Sequence, residues 1–250
     1  MNFRDLGGLS SADGRFVRSG LLFRCGEFAA TDAHERACIR RSRLRTVYDL
    51  RSAAEREQAP APAALLAGVE VILTDASAAI LPSRDELTRD GRFTQGSADR
   101  IMHDLYARMP GAFASVLADL FERLLGGAAP LLIHCSAGKD RTGFVVALLL
   151  AALDVRPDEI DADYLVSARA GAGEFAHTDL ARYLETIVGH TVDRQALQPM
   201  LTVAPSYLAA AREQIDVAFG GLHAYLRDAC GMDAARCAAL RQLFTEAVSG

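Results

Sequence analysis

Leu131-Leu132-Ile133-His134-Cys135-Ser136-Ala137-Gly138-Lys139-Asp140-Arg141-Thr142-Gly143 leads from a strand-like apolar run into a loop, and the apolar stretch Phe144–Leu153 behind it reads as a helix. A loop that enters a helix presents unpaired backbone N–H groups and the positive end of the helix dipole, which together attract an anion. N–H groups curled around one point form an anion-binding nest. Cys135 at the start of that nest would have its thiolate, the nucleophilic form, stabilised. Arg141 at the far end offers a planar fork that matches two phosphate oxygens at once. The combination implies nucleophilic attack on a phosphate ester. A Walker A nucleotide loop, suggested by Gly138-Lys139, needs Gly at position 133 and Ser or Thr at position 140; Ile133 and Asp140 stand there instead.

The remaining sequence is read outward from this unit. Pro130 opens the central strand, and Gly126-Gly127 ends a preceding helix whose apolar stripe spans Gly111–Leu125. Leu21–Arg24, Thr46–Leu50 and Val69–Leu73 read as short strands. Asp32 and Glu35 form an N-cap and N3 pair that opens a helix to about Arg41. Thr74–Ser97, rich in polar and small residues, is expected to be a mobile loop. Beyond the loop the patterns are mostly helical. Alternating β and α units predict an α/β fold, with a mainly parallel central sheet flanked by helices, a helical C-terminal part and the active loop at a strand's C-terminal end.

Composition excludes several classes. The chain has 250 residues, half of them hydrophobic and 24% charged, with a formal net charge of -5. That balance suits a globular enzyme and gives no sign of a nucleic-acid partner. One domain over 1–250 is expected. Five scattered cysteines make no disulfide framework, and Cys230 and Cys237 lack metal-ligand spacing, so neither metal nor cofactor is expected. No secretory apolar segment opens the sequence, and Phe144–Leu153 is too short to span a bilayer; the expectation is a cytoplasmic protein without stable membrane insertion.

The loop resembles the signature of cysteine-dependent tyrosine phosphatases in the variant His-Cys-x-x-Gly-Lys-Asp-Arg. Asn2-Phe3-Arg4-Asp5-Leu6-Gly7-Gly8 is similar to the start of one bacterial branch, the tyrosine/lipid phosphatases of the PtpB type. Leu22-Phe23-Arg24 with Gly26-Glu27, Asp49-Leu50-Arg51-Ser52 with Glu55, Asp163-Tyr164-Leu165 and Tyr207-Leu208 agree with it. The resemblance covers nearly the whole chain, is specific at the start and at the loop, and is weak from about Gly171 to Val203.

Roles follow from the residues and from that resemblance. Cys135 is the expected nucleophile. Arg141 is expected to bind the phosphate and the spreading charge of its loose transition state. Ser136, Ala137, Gly138 and Lys139 would offer backbone N–H donors. The resemblance implies that Thr142 donates its hydroxyl to the cysteine sulfur; as a bare residue it reads equally well as part of a first helical turn. His134 is expected to orient the cysteine rather than act as a base. Many tyrosine phosphatases carry their acid on a Trp-Pro-Asp loop upstream of the cysteine, but this chain has no Trp and its Pro157-Asp158 lies downstream. The resembling branch favours Asp140, inside the loop, as general acid. Asp75, after a strand, is the main rival, and Asp49 is the third, more simply paired with Arg51.

In the resembling branch the position of Lys139 goes with activity on phosphoinositides as well as phosphoproteins, and both are candidate substrates. The basic run Arg36, Arg40, Arg41, Arg43, Arg45 is either a docking face for an anionic substrate or a solvated helix face. Glu174–Gly189 has apolar residues at helical spacing and reads either as a lid, within an insertion over 171–203, or as a core helix. A catalytically weak phospho-ligand binding module and a cysteine-based arsenate reductase are the rival functions.

Overall fold

The strands are β1 (Arg4–Asp5), β2 (Phe16–Val17), β3 (Leu22–Cys25), β4 (Thr46–Asp49), β5 (Glu70–Leu73), β6 (Leu131–His134) and β7 (Thr245–Glu246). The helices are α1 (Ala33–Arg41), α2 (Ala53–Gln58), α3 (Arg84–Thr88), α4 (Gln95–Leu125), α5 (Asp140–Ala152), α6 (Pro157–Val166), α7 (Glu174–Val188), α8 (Gln198–Leu201), α9 (Pro205–Phe219), α10 (Leu222–Asp228) and α11 (Ala234–Phe244). Short 3-10 turns lie at Ser77–Ala79 and Arg194–Leu197. The computed structural model describes residues 2–28, 31–74, 76–168 and 174–247, without the side chains of 174–179.

Five strands form one sheet in the order β1-β3-β6-β4-β5. The four strands β3, β6, β4 and β5 are parallel, and β1 runs antiparallel to β3. All residues of β3, β4 and β6 are buried, because helices cover both faces and leave no side for polar residues. Their side chains alternate: Leu22, Tyr48, Leu131 and Ile133 enter the large core beneath α4, α5 and α9, while Phe23, Val47 and Leu132 join Ile39 of α1 on the other face. Cys25 and Asp49 both lie level with His134 across the ladder. The loops that leave β3, β6 and β4 therefore emerge side by side at the carboxyl edge of the sheet. The mainly parallel sheet flanked by helices is as the sequence predicts.

Two segments differ from expectation. The helical stripe over Gly111–Leu125 is only the second half of α4, which begins at Gln95 and runs through Pro110. Pro110 cannot donate the usual backbone hydrogen bond. The helix persists because one long face, from Ile101 and Tyr106 to Phe113 and Leu120, is buried in the core, and because Tyr225 donates to the Pro110 carbonyl at 2.8 Å. Thr74–Ser97 is also more structured than a mobile loop. Ser83 with Glu86 and Thr94 with Ser97 close capping boxes that start α3 and α4. Leu87 and Phe93 between them enter a second apolar cluster with Ile101, Leu184, Leu197 and Leu201. The stretch expected as lid or core helix forms α7, and its described residue Leu184 is part of that cluster; residues 169–173 lie outside the described residues. Among the described residues no helix is long and apolar enough to cross a membrane.

Candidate active site

The loop Cys135–Lys139 joins the end of β6 to the start of α5. No side chain caps α5 at Lys139, so its first-turn N–H groups remain available to an anion. Gly138 adopts φ +66, and a Cβ on it would stand 2.4 Å from the Cys25 carbonyl oxygen. Only glycine fits that crossing. The Gly138 carbonyl accepts from Arg24 Nη2 at 2.9 Å and Asn2 Nδ2 at 2.7 Å, and the Ser136 carbonyl accepts from the Glu27 N–H at 2.9 Å. With these carbonyls tied to the β3 side, planar trans peptides turn the N–H groups of Ala137 and Lys139 the opposite way.

Arg24 is fully buried beneath this loop and is neutralised there. Its Nη1 donates to Asp163 Oδ2 at 2.6 Å, and Arg4 Nε donates to Asp163 Oδ1 at 2.6 Å. The resemblance motifs at Asn2, Arg4, Arg24 and Asp163, distant in sequence, thus form one buttress under the phosphate-type loop. Burial pushes the Arg24 guanidinium down, and Asp163 opposes the shift.

Arg141 lies across the mouth from this buttress. Its Nη1 donates to Glu55 Oε2 at 2.7 Å and to Ser77 Oγ at 2.9 Å, and its Nη2 donates to Glu55 Oε1 at 2.6 Å. Ser136 Oγ donates to the same Glu55 Oε1 at 2.5 Å. Burial alone would raise the Glu55 carboxyl, but the Arg141 fork and the Ser136 hydroxyl hold it well below the usual range. Ser77 was not singled out by sequence reasoning, and Glu55 entered only as part of the resemblance, with no role at the site. Glu55 did carry a local signal, the Ser52-x-x-Glu55 capping box that opens α2.

The other expected residues fall into distinct surroundings. Asp49 accepts from Arg51 Nε at 2.9 Å and Nη2 at 2.8 Å, so its carboxylate is engaged by that pair. His134 is buried, with Nδ1 3.3 Å from the Cys135 carbonyl and Nε2 3.6 Å from Asp49 Oδ2. Burial pushes its imidazole down to about 4 despite Asp49, leaving it neutral near pH 7. Asp140 opens α5; its Oδ1 accepts from Tyr106 Oη at 2.9 Å and its Oδ2 from Lys139 Nζ at 2.5 Å. Lys139 is buried rather than solvated and also donates to the Thr202 carbonyl at 3.2 Å. Thr142 Oγ1 is buried without a hydrogen-bond partner, so a bond to the cysteine sulfur is not formed in this structure. Asp75 lies outside the described residues.

The basic run does not gather at the mouth. Arg36 donates to the Thr31 carbonyl, and Arg43 and Arg45 lead into the amino end of β4, the far edge of the sheet. An arsenate reductase would need a second, reactive thiol near Cys135; Cys25 is enclosed in the cluster with Phe28 and Leu132, and burial pushes its thiol far up.

Cys135 and Arg141 flank a helix start without a side-chain cap at the carboxyl edge of a parallel sheet, an arrangement suited to holding a phosphate ester. Residues 1–246 match the tyrosine phosphatase family, and the chain belongs to that family of protein-tyrosine-phosphatase enzymes. It is 37% identical over 235 residues to the "Putative tyrosine-protein phosphatase" of Cupriavidus necator, across 94% of this chain and 83% of that protein. It is 34% identical over 255 residues to the triple specificity protein phosphatase PtpB of Mycobacterium tuberculosis, across 91% of each. The crystal structure of Pseudomonas aeruginosa TpbA aligns with 76% of this chain and 94% of its own at 16% identity, with a TM-score of 0.31.

Proposed function

We propose that the protein hydrolyses phosphotyrosine through a phosphocysteine intermediate, within a single domain over 1–250. Cys135 attacks phosphorus, and Arg141 with the N–H groups of Ser136 to Lys139 receives the three non-bridging oxygens. Asp140 protonates the leaving oxygen, and water then releases phosphate from the sulfur. His134, Asp49 and Arg51 hold the strand ends behind the cysteine, and Thr142 stands ready to hydrogen-bond the sulfur once the nucleophile is charged. The observation that carries this reading is the Arg141 fork, held by both Glu55 oxygens in front of the open α5 terminus. Such preorganisation suits a loose phosphoryl transition state, in which positioning and charge do nearly all the work.

The substrate range extends to phosphoserine, phosphothreonine and phosphoinositides. Support comes from the triple specificity in the name of the mycobacterial relative. Lys139, paired with Asp140 here, is the cation this range would draw on once an incoming phosphate releases it. The protein is assigned to the cytoplasm, with phosphorylated proteins or phosphoinositides as its substrates.

Phosphate release from a phosphotyrosine peptide, a phosphoserine peptide and phosphoinositide vesicles, in excess chelator, tests both parts. Turnover of the first is expected, and Cys135→Ser is expected to abolish it while tungstate binding persists, because a serine hydroxyl stays protonated near neutrality. Residual turnover within tenfold of the unaltered protein would remove Cys135 as nucleophile. Peptide turnover without vesicle turnover would confine the substrates to proteins.

A further inference from the structure

We infer that Tyr106 is a positioning residue for Asp140 and selects which of its two oxygens hands over the proton. This rests on Asp140 being the acid of the proposed reaction. Tyr106 sits in mid-α4, fully buried, and turns its hydroxyl onto the first residue of α5. Its oxygen accepts from Tyr164 Oη of α6 at 2.7 Å. Tyr164 is itself fixed, since its ring packs on Gly143 so closely that a Cβ there would lie 2.9 Å from Cδ2. The two phenol rings meet nearly edge-on, with centroids 6.3 Å apart.

Donor counting gives the consequence. A phenol has one hydrogen; with Tyr164 donating to Tyr106, the Tyr106 hydrogen is committed to Asp140 Oδ1. An oxygen that already receives that hydrogen is the poorer site for the carboxyl proton, which therefore resides on Oδ2. Burial and the nearby Asp140 push the Tyr106 phenol far up, so it remains a donor throughout the working range. The groups facing the carboxylate are Lys139 and Arg141 from its own segment, Tyr106 from α4, Tyr164 from α6 and Tyr207 from α9.

Lys139 Nζ occupies Oδ2 here. It is a compact charge on a flexible stem, and an incoming phosphate dianion draws it away. As the Sγ–P bond forms and the P–O bond to the leaving group breaks, the Oδ2 proton passes to the departing oxygen. In the second step water attacks phosphorus, the Sγ–P bond breaks and one water proton returns to Oδ2. Tyr106 holds Oδ1 through both steps.

The test compares Tyr106→Phe with Asp140→Asn on phenyl phosphate, which needs the proton, and dinitrophenyl phosphate, which does not. Tyr106→Phe is expected to lower kcat/KM for phenyl phosphate on the order of tenfold, the worth of one hydrogen bond to a charged group, and to leave the dinitrophenyl ester within about twofold. Its alkaline limb with phenyl phosphate moves to higher pH, because losing a donor to the carboxylate favours the protonated form. An equal fall on both esters with an unmoved limb, or no fall at all, would overturn the inference. Should Asp140→Asn show the leaving-group dependence and Tyr106→Phe not, only the inference fails. Should Asp140→Asn lack it, the acid assignment fails first.

Discussion

Glu55 completes the α2 capping box with Oε2 and receives the Arg141 fork with both oxygens, so a single carboxylate ties a helix start to the Cys135–Arg141 loop. Glutamine at this position can still cap the helix but lacks the charge that holds the guanidinium. Glu55→Gln is therefore expected to lower kcat/KM by about ten- to a hundredfold, equivalent to ~1.5–3 kcal/mol for a charged hydrogen bond. Its melting temperature should also fall, because a carboxylate held below its ordinary range contributes folding stability near neutral pH. Steady-state kinetics beside thermal unfolding check this, and a large melting shift with intact kinetics would make Glu55 purely structural. His134 gives a second prediction at this scale. Its folded value of about 4 lies below the ordinary 6.5, so between these pH values the unfolded chain takes up a proton that the folded one refuses. Stability is present above pH 6.5 and falls as pH drops towards 4, by on the order of 3 kcal/mol. Denaturant unfolding from pH 7 to 4 reads this slope, and His134→Asn should flatten it.

At the scale of the element, the loop between β6 and α5 takes its shape from Gly138. Its left-handed φ and its contact with the Cys25 carbonyl leave no space for a methyl group. Gly138→Ala is expected to displace the loop, with kcat/KM reduced more than about a hundredfold, since small misplacements at a reacting centre cost that much. Arg24 and Asp163 stay buried, so the sheet itself persists. A normal circular dichroism spectrum with lost phosphate-ester turnover is the expected pair of results; wild-type turnover would mean the loop tolerates the clash. Much of this element is legible in the sequence, because Cys135, Gly138 and Arg141 lie in one local strand–loop–helix unit. α4 was only half legible. A helix through Gly96, Pro110 and Gly111 is held by burial of a long face, which short-range periodicity does not report.

At the scale of the whole molecule, the large core runs beneath the sheet, and a second apolar cluster joins α3, the start of α4, and the 180–201 segment. Lys139 touches this region through the Thr202 carbonyl. Leu197 is fully buried in the second cluster. Leu197→Ala is expected to cost about 2–5 kcal/mol in that cluster. Faster amide exchange should then be confined to α3, α7, α8 and the start of α4. Equal loss of protection in β6 would mean that the two clusters unfold as one unit.

The sequence by itself carried the phosphatase family signature in the loop and the alternation of strands and helices that makes the parallel α/β architecture. The loop is local: one strand, one turn and one helix hold the cysteine and arginine at a spacing that backbone geometry dictates. Tertiary structure alone decided what holds them. Glu55 reaches Arg141 across 86 positions, Asp163 reaches Arg24 across 139, and Tyr106 reaches Asp140 across 34. No periodicity encodes such distances, because each partner's own segment satisfies a local rule, a helix cap or an apolar face, that is indifferent to what lies opposite. Only the level carboxyl ends of β3, β6 and β4, and the packing of α4 and α6 on α5, bring those side chains to one site.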